Sequence, residues 1–192
     1  MWKPEPPLHQ QDRMTRTRNK KAILQRNTQN GETDQEYNDI EFAPDNNDLV
    51  YVLPYYINRI FSVDLRSGDR VALDESLGDG PELLNPANLA IMPSAVAGQR
   101  PTLLVLDSSI YSIDLAAQVT PANRVTVSGF DADNPNQPKG SGTALIFPST
   151  IVADSTNNRL LVTDGGLKAV VEVDATTGDR KIMSAQGIGA GP

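Results

Sequence analysis

Hydrophobic positions in this chain come in short bursts separated by polar, turn-forming residues, and from Ile40 onward the bursts recur in groups of four. In the last group they are Ile151 to Ala153, Leu160 to Thr163, Ala169 to Val173 and Arg180 to Met183. Runs of this length, rich in Val, Ile and Leu and bounded by Asn, Asp, Gly and Pro, predict β-strands. The first two runs of a group are almost continuously apolar, as in strands covered on both faces. The last alternates with polar residues, which predicts an outer edge. The turns carry their own signals. Asn46-Asn47 and Asn157-Asn158 tolerate the positive φ of a tight hairpin, and Ser67-Gly68-Asp69 and Thr177-Gly178-Asp179 place glycine where a left-handed residue is needed.

The groups are copies of one another. IEFAPDNNDLVYV (Ile40 to Val52) aligns without a gap on IVADSTNNRLLVT (Ile151 to Thr163), and Ile60 to Leu73 aligns on Val170 to Met183 after a one-residue adjustment. A looser copy (LAIMP, TLLVLD, IYSIDL, RVTVSG) runs from Leu89 to Gly129. The connectors repeat as well, GDGPELLNP (Gly78 to Pro86) matching GSGTALIFP (Gly140 to Pro148). Four antiparallel strands per unit of about 40 to 50 residues is the blade of a β-propeller. The expected fold is therefore all-β, a partial propeller of about three four-stranded antiparallel blades. These span about residues 37–77, 78–139 and 140–188, followed by the start of a further connector. Propellers close with about four to eight blades, so the repeat count predicts a piece of a longer ring. Open blade edges in such a piece predict self-association.

Composition changes this picture mainly at one end. Residues 1–36 are rich in Pro, Gln, Asn, Thr and Arg, with Ala22-Ile23-Leu24 as their one apolar cluster. This predicts a basic, mostly disordered tail with at most a short helix over Thr15 to Gln25. The formal charge of −7 hides a split: residues 1–26 hold seven Lys/Arg against two acids, leaving ten against twenty-two in the rest. The basic run Arg16, Arg18, Lys20, Lys21 reads as a solvated tail. The acidic body argues against nucleic-acid binding through the main surface. Aromatics are 5% of the chain, so the core must be aliphatic. With no cysteine, disulfides and thiolate chemistry are excluded. No apolar run approaches the roughly 20 residues of a membrane helix, and the first residues lack the apolar core of a secretory signal. The compartment stays open.

VDLRSGDR, VDATTGDR, the two connectors and NNRLLVTDGGLKAVVEVD together resemble the bacterial six-bladed propellers of the NHL-repeat type. These belong to a TolB-like superfamily that includes the gluconolactonase and senescence-marker-protein propellers. The resemblance spans roughly residues 40–192 and implies the fold, which hosts many activities. Its lactonase branch implies hydrolysis of sugar lactones with a divalent metal held in the central tunnel by Glu, Asn and Asp from different blades. In that branch an Asn–Gly–apolar–Ala stretch supplies one ligand. Here the matching stretch is Pro86-Ala87-Asn88-Leu89-Ala90, with Asn88 in place of the glycine, and Pro148-Ser149-Thr150-Ile151-Val152 in the third repeat.

Several residues are candidates for chemistry. Asp64, Asp114 and Asp174 end the third strands, where a carboxylate accepts hydrogen bonds from turn amides. Asp107 and Asp164 end the second strands and share a face with the connector residues Asp79 and Glu82. That face reads as an acidic rim, or as an oxygen-only site for Ca²⁺ or Mg²⁺. Tyr55-Tyr56 occupy the matching loop of the first blade; packing onto Leu53 and Ile57 is favoured over a role as exposed anchors. His9, the one histidine, lies in the tail, so the blades offer no Ser-His-Asp arrangement and no zinc ligands of the usual kind. The GDG and GSG connectors precede no helix and are not phosphate loops. The expectation is a non-catalytic scaffold binding a protein or small ligand through Tyr55, Tyr56, Asp79, Glu82, Asp107 and Asp164. The alternative is a metal-dependent lactone hydrolase using Asn88.

Overall fold

A computed structural model describes residues 37–44, 46–55, 58–73, 83–94, 101–115, 124–130 and 138–189; the tail expected over residues 1–36 lies outside them. Every regular element among the described residues is a strand. They are β1 (Tyr37–Phe42), β2 (Leu49–Pro54), β3 (Phe61–Asp64) and β4 (Arg70–Ala72), then β5 (Asn88–Met92), β6 (Thr102–Leu106), β7 (Ile110–Asp114) and β8 (Arg124–Ser128). The last are β9 (Pro148–Asp154), β10 (Arg159–Asp164), β11 (Ala169–Asp174) and β12 (Arg180–Ser184). Each consecutive four forms one antiparallel sheet in sequence order, giving blades 1, 2 and 3 of a partial β-propeller. No described helix is long and apolar enough to cross a membrane.

Turn chemistry closes the hairpins. Gly68 and Gly178 adopt φ of +80° and +79°, and Asn158 sits at +50°. Asn46 acts through its side chain instead, its Oδ1 accepting the Asp48 N–H at 3.0 Å. The gapless alignment of the first hairpins does not survive in three dimensions. Ile40 pairs with Val52, twelve residues on, whereas Ile151 pairs with Val162, eleven residues on. Blade 1 thus holds one extra residue in the β1–β2 loop. Facing sets this register: a one-residue slip would turn Val50 and Val52, 0% and 3% exposed, to the opposite side of the sheet.

The core lies between sheets. Tyr51, Leu53 and Ile60 of blade 1 meet Leu89, Leu103, Val105 and Ile113 of blade 2. The other face of blade 2, with Ala90, Leu104, Leu106 and Ile110, meets Ile151, Leu160, Val162 and Val173 of blade 3. Each fully buried Leu, Ile or Val side chain contributes about 1.5–3 kcal/mol. A third cluster, Ile40, Val50, Val52 and Val63, lies on the remaining face of blade 1.

Polar ties fix how the blades stand together. On the innermost strands, Asp39 Oδ2 accepts the Asn88 side-chain N–H at 2.7 Å and the Leu89 main-chain N–H at 3.0 Å. Asn88 Oδ1 in turn accepts the Ile151 N–H at 2.8 Å. One amide side chain therefore links all three blades. At the outer edge, the Ser128 hydroxyl donates to the Gly178 carbonyl at 2.6 Å, and Arg180 donates to Ser128 Oγ at 2.6 Å and to the Thr143 carbonyl at 2.9 Å. The GSG connector crosses this turn so closely that a Cβ on Gly140 would lie 1.9 Å from the Gly178 carbonyl oxygen. Close passage over an outer turn explains the glycine. Replacing Asn88 with Ala leaves the Ile151 N–H without its acceptor, and should lower unfolding free energy by about 1–3 kcal/mol in urea titration.

Candidate functional site

Turn aspartates and connector aspartates do different work. Asp64 Oδ1 accepts the Arg66 and Ser67 N–H groups at 2.8 and 3.0 Å, and Asp174 Oδ1 accepts those of Thr176 and Thr177 at 2.8 Å each. These backbone donors, Ser67 foremost at Asp64 and Thr177 at Asp174, hold both carboxyls below the usual range. Of the Asp114 side chain nothing is described.

Asp107 and Asp164 sit at the ends of β6 and β10, where the chain leaves the sheet beside the incoming connector. Asp164 is 2% exposed and takes four main-chain N–H groups: Ile146 at 2.7 Å, Phe147 at 3.1 Å, Gly166 at 2.9 Å and Leu167 at 3.0 Å. Burial acts to raise its pKa, but those four amides outweigh it, with Leu167 leading, and hold the carboxyl below its ordinary value. Asp107, 3% exposed, accepts Leu84 at 2.8 Å and Asn85 at 3.0 Å on one oxygen and Ser108 on the other. The acidic rim is thus corrected at these two positions: both carboxylates are buried, because the connector and the following loop would otherwise leave several amides unpaired.

Anchoring the main chain in this way leaves apolar side chains facing outward. Leu83, first of the LLNP run, is 3% exposed, but Leu84 is 67% exposed. In the matching LIFP run, Ile146 and Phe147 are 52% and 72% exposed. Their backbone amides are the ones that Asp107 and Asp164 hold. Gly166 lies directly under Ile146 and Phe147, where a Cβ would come within 2.6 Å of Ile146 Cγ2. Tyr55, in the corresponding loop of blade 1, is 53% exposed, and Ile57, one of the two residues on which the sequence favours its packing, lies outside the described residues. Tyr56, Asp79 and Glu82 lie outside the described residues. Sequence reasoning passed over Leu84, Ile146 and Phe147. The usable signal was an apolar pair before proline followed, in the same blade, by an aspartate ending the second strand.

Asn88 lies in the inter-blade tie, its amide nitrogen on Asp39 and its oxygen on the Ile151 N–H. Among the described residues, no group of three His, Cys, Asp or Glu is arranged to hold a metal ion.

No family model matches the chain, and no curated protein does either. Solved structures do. A chain in the crystal structure of a nidogen/laminin complex superposes with a TM-score of 0.53 at 19% identity, over 78% of this chain and 48% of that one. That likeness is one of fold. Hydrazine synthase from Kuenenia stuttgartiensis gives a TM-score of 0.49 at 14% identity, over 80% and 38% of the two chains. The dihydro-heme d1 dehydrogenase NirN gives 0.46 at 18%, over 77% and 28%. The chain spans about half the length of the nidogen/laminin structure's chain.

Because the folded pKa of Asp164 lies below the ordinary 3.8, its contribution is complete above pH 3.8 and fades as pH falls through the lower folded value. Asp164→Asn should cost about 1–3 kcal/mol at pH 7. The gap to the parent should narrow as the pH is taken below 3.8, read by urea unfolding across pH.

Proposed function

We propose that this chain is a sector of a longer propeller, of the six-bladed NHL and TolB-like kind, that works as a non-catalytic scaffold. It binds a protein segment or small ligand on its connector face. The observation that carries this reading is the set of apolar side chains standing out there, Tyr55, Leu84, Ile146 and Phe147, each 52% to 72% exposed, the last three on a backbone pinned by Asp107 and Asp164. Exposed apolar groups on a rigid frame supply contact area at little entropic cost, and aromatic ones are frequent binding anchors. In this reading Tyr55 and Tyr56 contact the ligand, Asp79 and Glu82 contribute charge at the margin, and Asp107 and Asp164 hold the platform. The family assignment is supported by the VDLRSGDR and VDATTGDR repeats and their connectors.

Peptides selected from a random library on the full chain provide the test. Their affinity should fall by about tenfold or more on Phe147→Asp or Leu84→Asp, measured by calorimetry, and should be unchanged on Ser67→Ala in the opposite turn. Selected peptides that bind all three variants equally would refute the connector face as the binding surface.

A further inference from the structure

Both blade junctions in the chain are built alike, and blade 3 carries one half of a third. At each junction a side chain on the innermost strand accepts the main-chain N–H of the next blade: Asp39 takes Leu89 at 3.0 Å, and Asn88 takes Ile151 at 2.8 Å. Asp39 pairs with Leu53 and Asn88 with Leu106 in their own sheets; at that register in blade 3, paired with Thr163, stands Thr150. A threonine hydroxyl can likewise accept an N–H. Thr150 is exposed, and its hydroxyl makes no hydrogen bond among the described residues.

The apolar half of the junction is equally open. On blade 2, Ala90, Leu104 and Ile110 are 5%, 4% and 0% exposed beneath blade 3. Their counterparts by register are Val152, at 54%, with Leu161 and Val170 half-buried. Toward the β9–β10 turn on the same face, Arg159 pairs with Asp154 at 2.9 Å and Glu172 at 2.6 Å, a charged group adapted to water. The dockable part is the end of the face away from the β9–β10 turn.

We propose that this face of blade 3 is a docking surface for another four-stranded repeat of the same kind. Its first strand offers a main-chain N–H to Thr150, and its aliphatic face covers Val152, Leu161 and Val170. The occupant's chemistry is read from the two junctions already filled. The cover there is aliphatic at four matching positions, Leu89, Leu103, Val105 and Ile113 in one and Ile151, Leu160, Val162 and Val173 in the other. A second copy docked head to tail is not that occupant, since its corresponding face, Ile40, Val50, Val52 and Val63, is already 2%, 0%, 3% and 9% exposed within one chain. The inference rests on the partial-propeller architecture and not on connector-face binding, so each can fail without the other.

The chain has no cysteine, so Val152→Cys introduces a single reporter thiol. Its labelling rate is compared in the full chain and in the full chain extended by a second copy of residues 140–189, which brings the aliphatic face of blade 3. The full chain should sediment as a monomer with a freely reacting thiol. In the extended chain labelling should slow by about tenfold or more, and adding Thr150→Val should recover about threefold of that loss. A thiol that stays reactive in the extended chain, whether the added repeat folds or not, overturns the proposal. So does a full chain that sediments as a dimer with the thiol protected, which would assign the face to a second copy. Equal protection with and without Thr150→Val removes the hydrogen bond to Thr150.

Discussion

A four-stranded sheet with two apolar faces has to be covered twice, and everything else in this molecule follows from how that is done. Neither face of blade 2 can be left to water: Leu103 and Val105 lie on one, Leu104 and Leu106 on the other, and all four are at most 4% exposed. Successive sheets supply the cover for each other. The aliphatic composition suits this arrangement, because branched side chains interdigitate between sheets without needing partners for polar tips. Stability is therefore a property of junctions more than of blades, as in repeat proteins generally.

Stacking sheets leaves a second problem, the amides of the segments that pass between them. The chain solves it with short acidic and amide side chains used inward. Asp164 takes four N–H groups, Asp107 three, and Asp39 and Asn88 carry the link across the innermost strands. An aspartate count taken as surface charge therefore overstates the acidity of the connector face. The same bonds fix the connector backbone so that Leu84, Ile146 and Phe147 have nowhere inward to go. The apolar character of the candidate site is a by-product of how the connector is satisfied.

Much of this was legible in the residues. Strand runs, glycine turns at Gly68 and Gly178, and Asp64 and Asp174 as turn acceptors depend on neighbours close in sequence, and the structure shows them in place. The fold class followed from repetition of those local units. Less legible was anything requiring two distant segments at once. Asp107 read as a rim carboxylate, yet two of its three partners are amides 22 and 23 residues away. Asn88 invited comparison with a metal ligand, while its oxygen accepts an N–H from 63 residues on. The extra residue in the first hairpin was hidden because its paired asparagines align by letter though not by facing.

The amino-acid sequence by itself determined the strands, their antiparallel order and the blade repeat, because hairpin turns and period-two patterning act over a few residues. Only the tertiary structure decided which carboxylates are buried, which apolar residues of LLNP and LIFP stand outside, and which sheet face is left uncovered. The physical reason is range. A turn closes on its own neighbours, but the burial of a side chain and the partner of a buried amide depend on which distant sheet comes to rest against them.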